Sequence, residues 1–225
     1  MATSISEIQD ILRDLYKPSS IFQKILIQGR PLICPFHVLV SLVPARATVL
    51  DVGCGSGVFL NLLASLRQTS GSLGIDTSPS AIELARGASR ASAEKEGPVF
   101  ECRTAESGLP GGVYDVVSMI DVAHHVEPAQ QRNIIQEAAG MVAPGGRFLY
   151  KDIGSRPLWR AWANRLHDLV LTREWIHYIE VRDVMAWLDE AGLELVNRQT
   201  INMLWYGHEL LVYRRPEQVD DSVPS

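Results

Sequence analysis

The stretch Asp51-Val52-Gly53-Cys54-Gly55-Ser56-Gly57 follows directly on the apolar pair Val49-Leu50 and reads as a β-strand ending in a glycine-rich turn. Glycine has no Cβ, so it tolerates positive φ and lets backbone approach a nucleotide-like ligand closely. A helix opening near Val58 would aim its free N–H groups and the positive end of its dipole at that ligand. The spacing of the glycines narrows the choice. A dinucleotide fingerprint reads G-x-G-x-x-G, its third small residue placed for tight packing of helix on strand. Here that place holds Val58, and the pattern is D-x-G-x-G-x-G, with an acid two residues before the first glycine.

Outward from this turn, apolar runs and helical periodicities alternate from Thr48 onward, the signature of a parallel sheet with helices on both faces. Strands are expected near residues 48–52, 72–76, 98–103, 113–119 and 146–152, and helices near 57–67, 79–92, 128–142 and 182–191. Ser78-Pro79 supplies a cap followed by proline at the first helical position. After Leu193 the pattern changes to two strands, near 193–200 and 207–214, with no helix between them. Upstream, Ile5, Ile8, Ile11, Leu12 and Leu15 recur at helical spacing before Pro18. A second helix, with Ile21, Phe22, Ile25 and Leu26 on one face, is expected to end at Gly29 before a loop from Arg30 to Pro35. The expected organisation is an N-terminal helical cap over residues 1–45, a core over 46–215 and a disordered tail over 216–225.

Composition limits the class. A chain of 225 residues can bury a full core. Its formal net charge of −5, with basic residues interspersed among acids, argues against a duplex nucleic-acid binder. The three cysteines, Cys34, Cys54 and Cys102, form no C-x-x-C pair and suit a reducing compartment. No signal-like or membrane-spanning stretch is visible, so a cytoplasmic location is expected, without stable membrane insertion. Assembly is left open, with a homodimer as the form to test.

Four segments in order carry a resemblance: Asp51 to Gly57, then Gly74-Ile75-Asp76-Thr77-Ser78, then Tyr114-Asp115-Val116-Val117-Ser118, and Ala143-Pro144-Gly145-Gly146-Arg147-Phe148-Leu149. Together they resemble the class I S-adenosylmethionine-dependent methyltransferases, in the small-molecule, type 11/12-like branch. That resemblance implies a Rossmann-like, doubly wound, seven-stranded, mostly parallel sheet with an antiparallel last strand. It also implies S-adenosyl-L-methionine as cofactor. By the family pattern, Gly53, Cys54, Gly55 and Gly57 would lie against its methionine and ribose part, with Asp51 supporting the ammonium end. Asp76, followed by Thr77, would accept hydrogen bonds from the ribose hydroxyls. After the third strand the family often has an acid followed by alanine at the adenine, whereas here Thr104 and Ala105 stand, so Thr104 offers a hydroxyl in the acid's place.

The fourth strand is followed by Ile120-Asp121-Val122-Ala123-His124-His125-Val126, where the cleft should open, with Asp121 beside the methionine part. A histidine at the substrate edge suits proton removal at neutral pH. His124 is the first candidate base, with His125 as a hydrogen-bonded neighbour and Lys151-Asp152, at the end of the fifth strand, as a further candidate for substrate contact or proton transfer. For Lys151-Asp152 the alternative is a solvated loop start. Asp121, His124 and His125 also match the spacing of an E-x-x-E-H metal cluster of the ubiquinone-pathway O-methyltransferases. The histidine makes that set softer and less suited to magnesium, so no metal is assigned and a divalent cation stays open as a minority reading.

Substrate identity is expected in a helical lid insertion at about 155–181. There Trp159, Trp162, Trp175 and Tyr178, with Tyr16 and Phe22 from the cap, are the candidates to line an apolar or aromatic pocket. The implied activity is in-line methyl transfer, by O-methylation of an aromatic or polyketide-like hydroxyl or carboxyl acceptor, so the expected partner is a small molecule. Two other readings stay open: a non-catalytic accessory or regulatory protein that binds the cofactor, and, third, an NAD-dependent reductase, disfavoured by Val58.

Overall fold

The computed structural model describes residues 3–17, 21–67, 69–92, 97–104, 107–153, 177, 179–203 and 206–217, with elements numbered over these residues. Its centre is a sheet of β1 (Val49–Val52), β2 (Leu73–Asp76), β3 (Val99–Cys102), β4 (Tyr114–Ile120), β5 (Val142–Ile153), β6 (Glu194–Met203) and β7 (Tyr206–Arg214). Their spatial order is β3-β2-β1-β4-β5-β7-β6. β1 to β5 pair in parallel, and β7 runs antiparallel between β5 and β6. This is the expected doubly wound sheet with an antiparallel last strand. The order reverses between β1 and β4, which makes the crevice at their carboxyl ends the place where such sheets bind ligands.

Successive side chains on a strand point to opposite faces, and the sheet uses this to serve two apolar layers. Val49, Val116, Leu149 and Val212 enter one cluster, with Ile8 and Leu12 of α1 (Ile5–Leu15), Leu39 of α3 (Phe36–Leu42), Leu60 and Leu63 of α4 (Val58–Arg67) and Ile82 of α5 (Pro79–Ala91). Their neighbours Leu50, Val117, Phe148 and Leu211 enter the other, against Ile135 of α6 (Pro128–Gly140) and Val184 and Leu188 of α7 (Val181–Glu190). The N-terminal helices therefore cover one face of the sheet, and α6 and α7 the other.

Capping follows the sequence. Ser4 accepts from Glu7 N–H at 3.2 Å at the start of α1, and Ser78 accepts from Ala81 N–H at 3.3 Å ahead of Pro79 in α5. Two expectations are corrected in the cap. The second helix, α2 (Ile21–Ile33), does not stop at Gly29 but continues through Arg30 and Pro31, and Cys34 N–H still donates to the Arg30 carbonyl at 2.7 Å. Pro31 lacks a donor for a single helical bond near the helix end, a loss the last turn can absorb. Beyond it, α3 occupies Phe36–Leu42, placing Phe36, Leu39 and Val40 in the core. β5 also starts earlier than expected, at Val142. In the stretch read as a disordered tail, Glu217 pairs with Arg214 at 2.7 Å.

Candidate active site

The glycine turn closes against its neighbours on two sides. Gly53 and Cys54 both donate their N–H to the Ile75 carbonyl of β2, at 2.8 and 2.9 Å. Gly53 has φ +74°, and a Cβ there would stand 1.9 Å from Val122 Cγ2, so the turn beneath Val122 requires glycine. Gly57, at φ +75°, leaves room for Ala85 and the Phe100 ring, which a Cβ would meet at 2.7 Å. Gly55 differs: its φ is +53°, yet an added Cβ would meet nothing within 4 Å, so this part of the turn borders open space.

Acidic side chains arrive at the carboxyl ends of three parallel strands. Asp76 ends β2, and its two oxygens accept the Gly55 N–H at 2.8 Å and the Ser78 N–H at 2.9 Å, tying the glycine turn to the start of α5. Asp51 on β1 is 2 % exposed and sits in register with Ser118 of β4, whose hydroxyl donates to Asp51 Oδ1 at 2.6 Å. Burial pushes the Asp51 carboxyl up to about 7, against the pull of Ser118 and with added repulsion from Asp76. Such an acid is suited to meet a ligand cation, which would restore its charge.

Asp121 stands at φ +56°, uncommon for a residue other than glycine. Its N–H donates to the Lys151 carbonyl at 2.8 Å, and its Oδ1 accepts from Lys151 Nζ at 2.6 Å. Arg30 of α2 lies 3.7 Å from Oδ2 and is 40 % exposed at its side chain. Burial alone would raise the Asp121 carboxyl, but Lys151 and then Arg30 outweigh it and hold it well below the usual carboxylate range. His208 of β7 and Cys34 belong to the same buried neighbourhood. Burial and the charge of Lys151 push the imidazole of His208 down to about 4, and burial pushes the Cys34 thiol up to about 11.

His124 lies in a short 3-10 turn, Ala123–His125, and is 3 % exposed. Its Nδ1 bonds Asp152 Oδ1, and its backbone N–H donates to Asp152 Oδ2 at 3.3 Å. Asp152 also accepts from Tyr150 Oη at 3.3 Å and from the Ile153 N–H at 2.7 Å. Gln131 braces the turn from α6, donating Nε2 to the carbonyls of Ala123, Val126 and His177 at 3.1 to 3.2 Å. Nδ1–H held by a carboxylate leaves Nε2 as the basic nitrogen, the arrangement a general base needs.

The structure thus places Asp51, Gly53, Cys54, Gly55, Gly57, Asp76 and Asp121 at the carboxyl ends of β1, β2 and β4, with the pair His124 and Asp152 at the ends of β4 and β5. Cys54 is buried, and its thiol is pushed far up by burial and by Asp51 and Asp76, which removes it as a nucleophile. Thr77 is exposed, and its carbonyl accepts from Cys102 Sγ at 3.6 Å. Thr104 is exposed beside Ser107, 3.3 Å between hydroxyls. His125 is exposed with its ring 4.1 Å from that of His124. Tyr16 faces inward: it is 2 % exposed, and its hydroxyl donates to the Ser56 carbonyl at 2.7 Å and accepts from Asn61 Nδ2 at 3.3 Å. Ala105, Trp159, Trp162, Trp175 and Tyr178, and the side chain of Phe22, lie outside the described residues. Among the described residues no three His, Cys, Asp or Glu side chains converge as a metal would need, and Asp121 is committed to Lys151.

Lys151 corrects the reading of a solvated loop start, because it lies inside β5, paired with Leu210 of β7, with a fully buried side chain. Arg30, Val122 and His208 were not singled out from the sequence. Arg30 falls in what read as a loop, and the other two are ordinary strand or turn residues until the strands are paired.

The methyltransferase-domain family matches residues 28–198, well over half of the chain. A ubiquinone biosynthesis O-methyltransferase of Pectobacterium atrosepticum is 28 % identical over 153 residues, covering 64 % of this chain and 61 % of that protein. The corresponding protein of Xanthomonas axonopodis is 27 % identical over 165 residues, covering 71 % of this chain and 67 % of its own length. The chain therefore spans about three fifths to two thirds of the curated relatives it matches. Among solved structures, magnesium protoporphyrin IX methyltransferase from Synechocystis with bound SAH superposes with a TM-score of 0.66 at 20 % identity, covering 92 % of this chain and 93 % of that one. An O-methyltransferase family protein from Burkholderia thailandensis superposes at 0.71 and 22 % identity, covering 97 % and 65 %. On the family match and the shared sheet, this chain belongs to the methyltransferase-domain family, the class I S-adenosylmethionine-dependent methyltransferases.

Proposed function

We propose that the protein transfers a methyl group from S-adenosylmethionine to an oxygen of a small molecule, an aromatic or polyketide-like hydroxyl or carboxyl. The observation that carries this reading is the glycine turn: open beside Gly55, locked from behind by Asp76, and flanked by the buried Asp51 carboxyl at the end of β1. A ligand with an ammonium and a sulfonium fits these carboxylates, and the exposed part of Arg30 is placed to take a carboxylate.

When bound, S-adenosylmethionine supplies a methyl carbon already activated by positive sulfur. The protein's work is then to align the acceptor oxygen with that carbon and to take the proton the oxygen loses. His124 Nε2 takes it, and Asp152, held by Tyr150 and the Ile153 N–H, steadies the imidazolium through Nδ1–H. In this reading the helices within residues 1–45 border the acceptor. Oxygen is preferred as the acceptor atom because the relatives of similar sequence carry the name O-methyltransferase. The net charge of −5 favours a small-molecule acceptor over nucleic acid, and the three free cysteines favour a reducing, cytoplasmic setting. Among the described residues no helix is long and apolar enough to cross a membrane.

Calorimetry with S-adenosylmethionine, S-adenosylhomocysteine and NAD, followed by transfer of labelled methyl to a panel of phenols and acids, tests the proposal. Binding of the first two with transfer to an oxygen acceptor is expected. Binding without transfer to any acceptor would favour an accessory role, and binding of NAD alone would end the reading.

A further inference from the structure

We infer that Lys151 is a positioning residue of the cofactor site, which holds Asp121 and the turn it begins in the one arrangement that meets the glycine turn. The inference rests on the cofactor reading above and goes beyond it, since Lys151 acts through Asp121.

Lys151 holds Asp121 at both ends. Its carbonyl accepts the Asp121 N–H at 2.8 Å, and its Nζ donates to Asp121 Oδ1 at 2.6 Å. This double grip is what a left-handed aspartate needs, because such a conformation is costly and persists only where the surroundings over-determine it. The residues that follow are the ones the site depends on. Val122 lies against Gly53, and His124 carries the basic nitrogen. β5 reaches this turn from both faces of the sheet. Lys151 shares the face of Leu149, under the N-terminal helices, and holds Asp121. Asp152 shares the face of Tyr150, towards α6, and holds His124.

The charge matters as well as the bonds. The side chain of Lys151 is wholly buried and that of Asp121 is 16 % exposed, so removing the ammonium leaves a carboxylate with little water to solvate it. The groups that face Asp121 are Lys151 from β5, Arg30 from α2, His208 from β7, His124 from the turn, and Cys34 and Tyr150. Of these, Lys151 is in direct contact with the carboxylate, and Arg30 stands farther off at 3.7 Å. Without the Lys151 ammonium the buried carboxyl takes a proton more readily at the acid end, and only as it ionises does it regain Arg30 as a counter-charge, so the turn is held least well at low pH.

The test is S-adenosylhomocysteine affinity by calorimetry from about pH 5.5 to 8.5 for wild type, Lys151→Met, Asp121→Asn and the double variant. Using the ratio of Lys151→Met to wild type removes the titration of Asp51, which both share. The expected ratio is at least about tenfold weaker binding at the acid end, narrowing as pH rises and the carboxyl ionises. In the Asp121→Asn background the same lysine change should alter affinity by less than about twofold, because there is no carboxylate left to hold. A ratio within twofold at every pH overturns the inference, as does an equal loss in the Asp121→Asn background. If Lys151→Met alone does not fold, the double variant should fold and bind like Asp121→Asn; a double variant that stays unfolded overturns it too. Wild type that fails to bind S-adenosylhomocysteine would instead sink the functional proposal itself, so the two failures are distinct.

Discussion

Val122 covers Gly53 so closely that a methyl group on the glycine would stand 1.9 Å from its Cγ2. The two residues follow neighbouring strands, β1 and β4, and they meet where the strand order reverses. Gly55, two residues on, has positive φ as well but open space beside it.

The pair separates stability from binding. Gly53→Ala combines backbone strain with overpacking and should cost about 2–5 kcal/mol, enough to lower the melting temperature by several degrees or prevent folding. Gly55→Ala should cost only the strain, about 1–2 kcal/mol, but weaken S-adenosylhomocysteine binding by tenfold or more, because its Cβ enters the space assigned to the ligand. Thermal melts and calorimetry on both variants check this. Equal affinity for Gly55→Ala and wild type would move the ligand elsewhere.

Asp51 predicts a pH dependence. Its carboxyl, raised by burial to about 7 in the folded protein, sits near 4 when unfolded, so between these pH values the folded state holds the extra proton. Stability from this group is therefore full below about pH 4 and declines as pH rises to about 7, by roughly a few kcal/mol at most. Asp51→Asn removes the decline. The melting temperature of the variant relative to wild type should be higher at pH 8 than at pH 5, while its cofactor affinity falls. A difference that does not change with pH would show that Asp51 ionises at an ordinary value.

Much of this site was legible because its residues are local in sequence. Asp51 to Gly57, Asp76 with Ser78, and Asp121 to His125 each lie at a strand end where glycine chemistry, capping or a break in apolar pattern marks the turn. Lys151 was placed at the end of the fifth strand, but its full burial comes from pairing with β7, some sixty residues on, which no local pattern announces. Arg30 was assigned to a loop because Gly29 and Pro31 signal a helix end, yet burial of the cap's apolar face carries the helix past both. α3 was missed for the same reason, Pro35 reading as loop although Phe36, Leu39 and Val40 supply its core face.

Tyr16 joins the cap to the glycine turn through Ser56, 40 residues away. Tyr16→Phe deprives the Ser56 carbonyl of its donor and Asn61 of one acceptor, although Asn61 keeps its bond to the Ala85 carbonyl at 3.3 Å. A loss of about 1–2 kcal/mol is expected, read as a fall of roughly 2–8 °C in melting temperature, with severalfold weaker cofactor binding. An unchanged melt would mean that the cap docks by apolar contact alone.

The pair His124 and Asp152 should govern turnover rather than affinity. Asp152→Asn keeps the shape but offers an amide where the imidazole needs a carboxylate, so it should favour the wrong tautomer and leave the imidazolium without its counter-charge. His124→Ala removes the base itself. Each is expected to lower kcat by about 10²–10⁴ while S-adenosylhomocysteine affinity stays within about threefold, since neither side chain meets the glycine turn. Because the two act as one unit, the double variant should be little worse than His124→Ala. Labelled methyl transfer for the three variants, with calorimetry alongside, decides the matter. Unaltered kcat in His124→Ala would leave the pair as a brace for the turn and place proton removal on another group or on solvent.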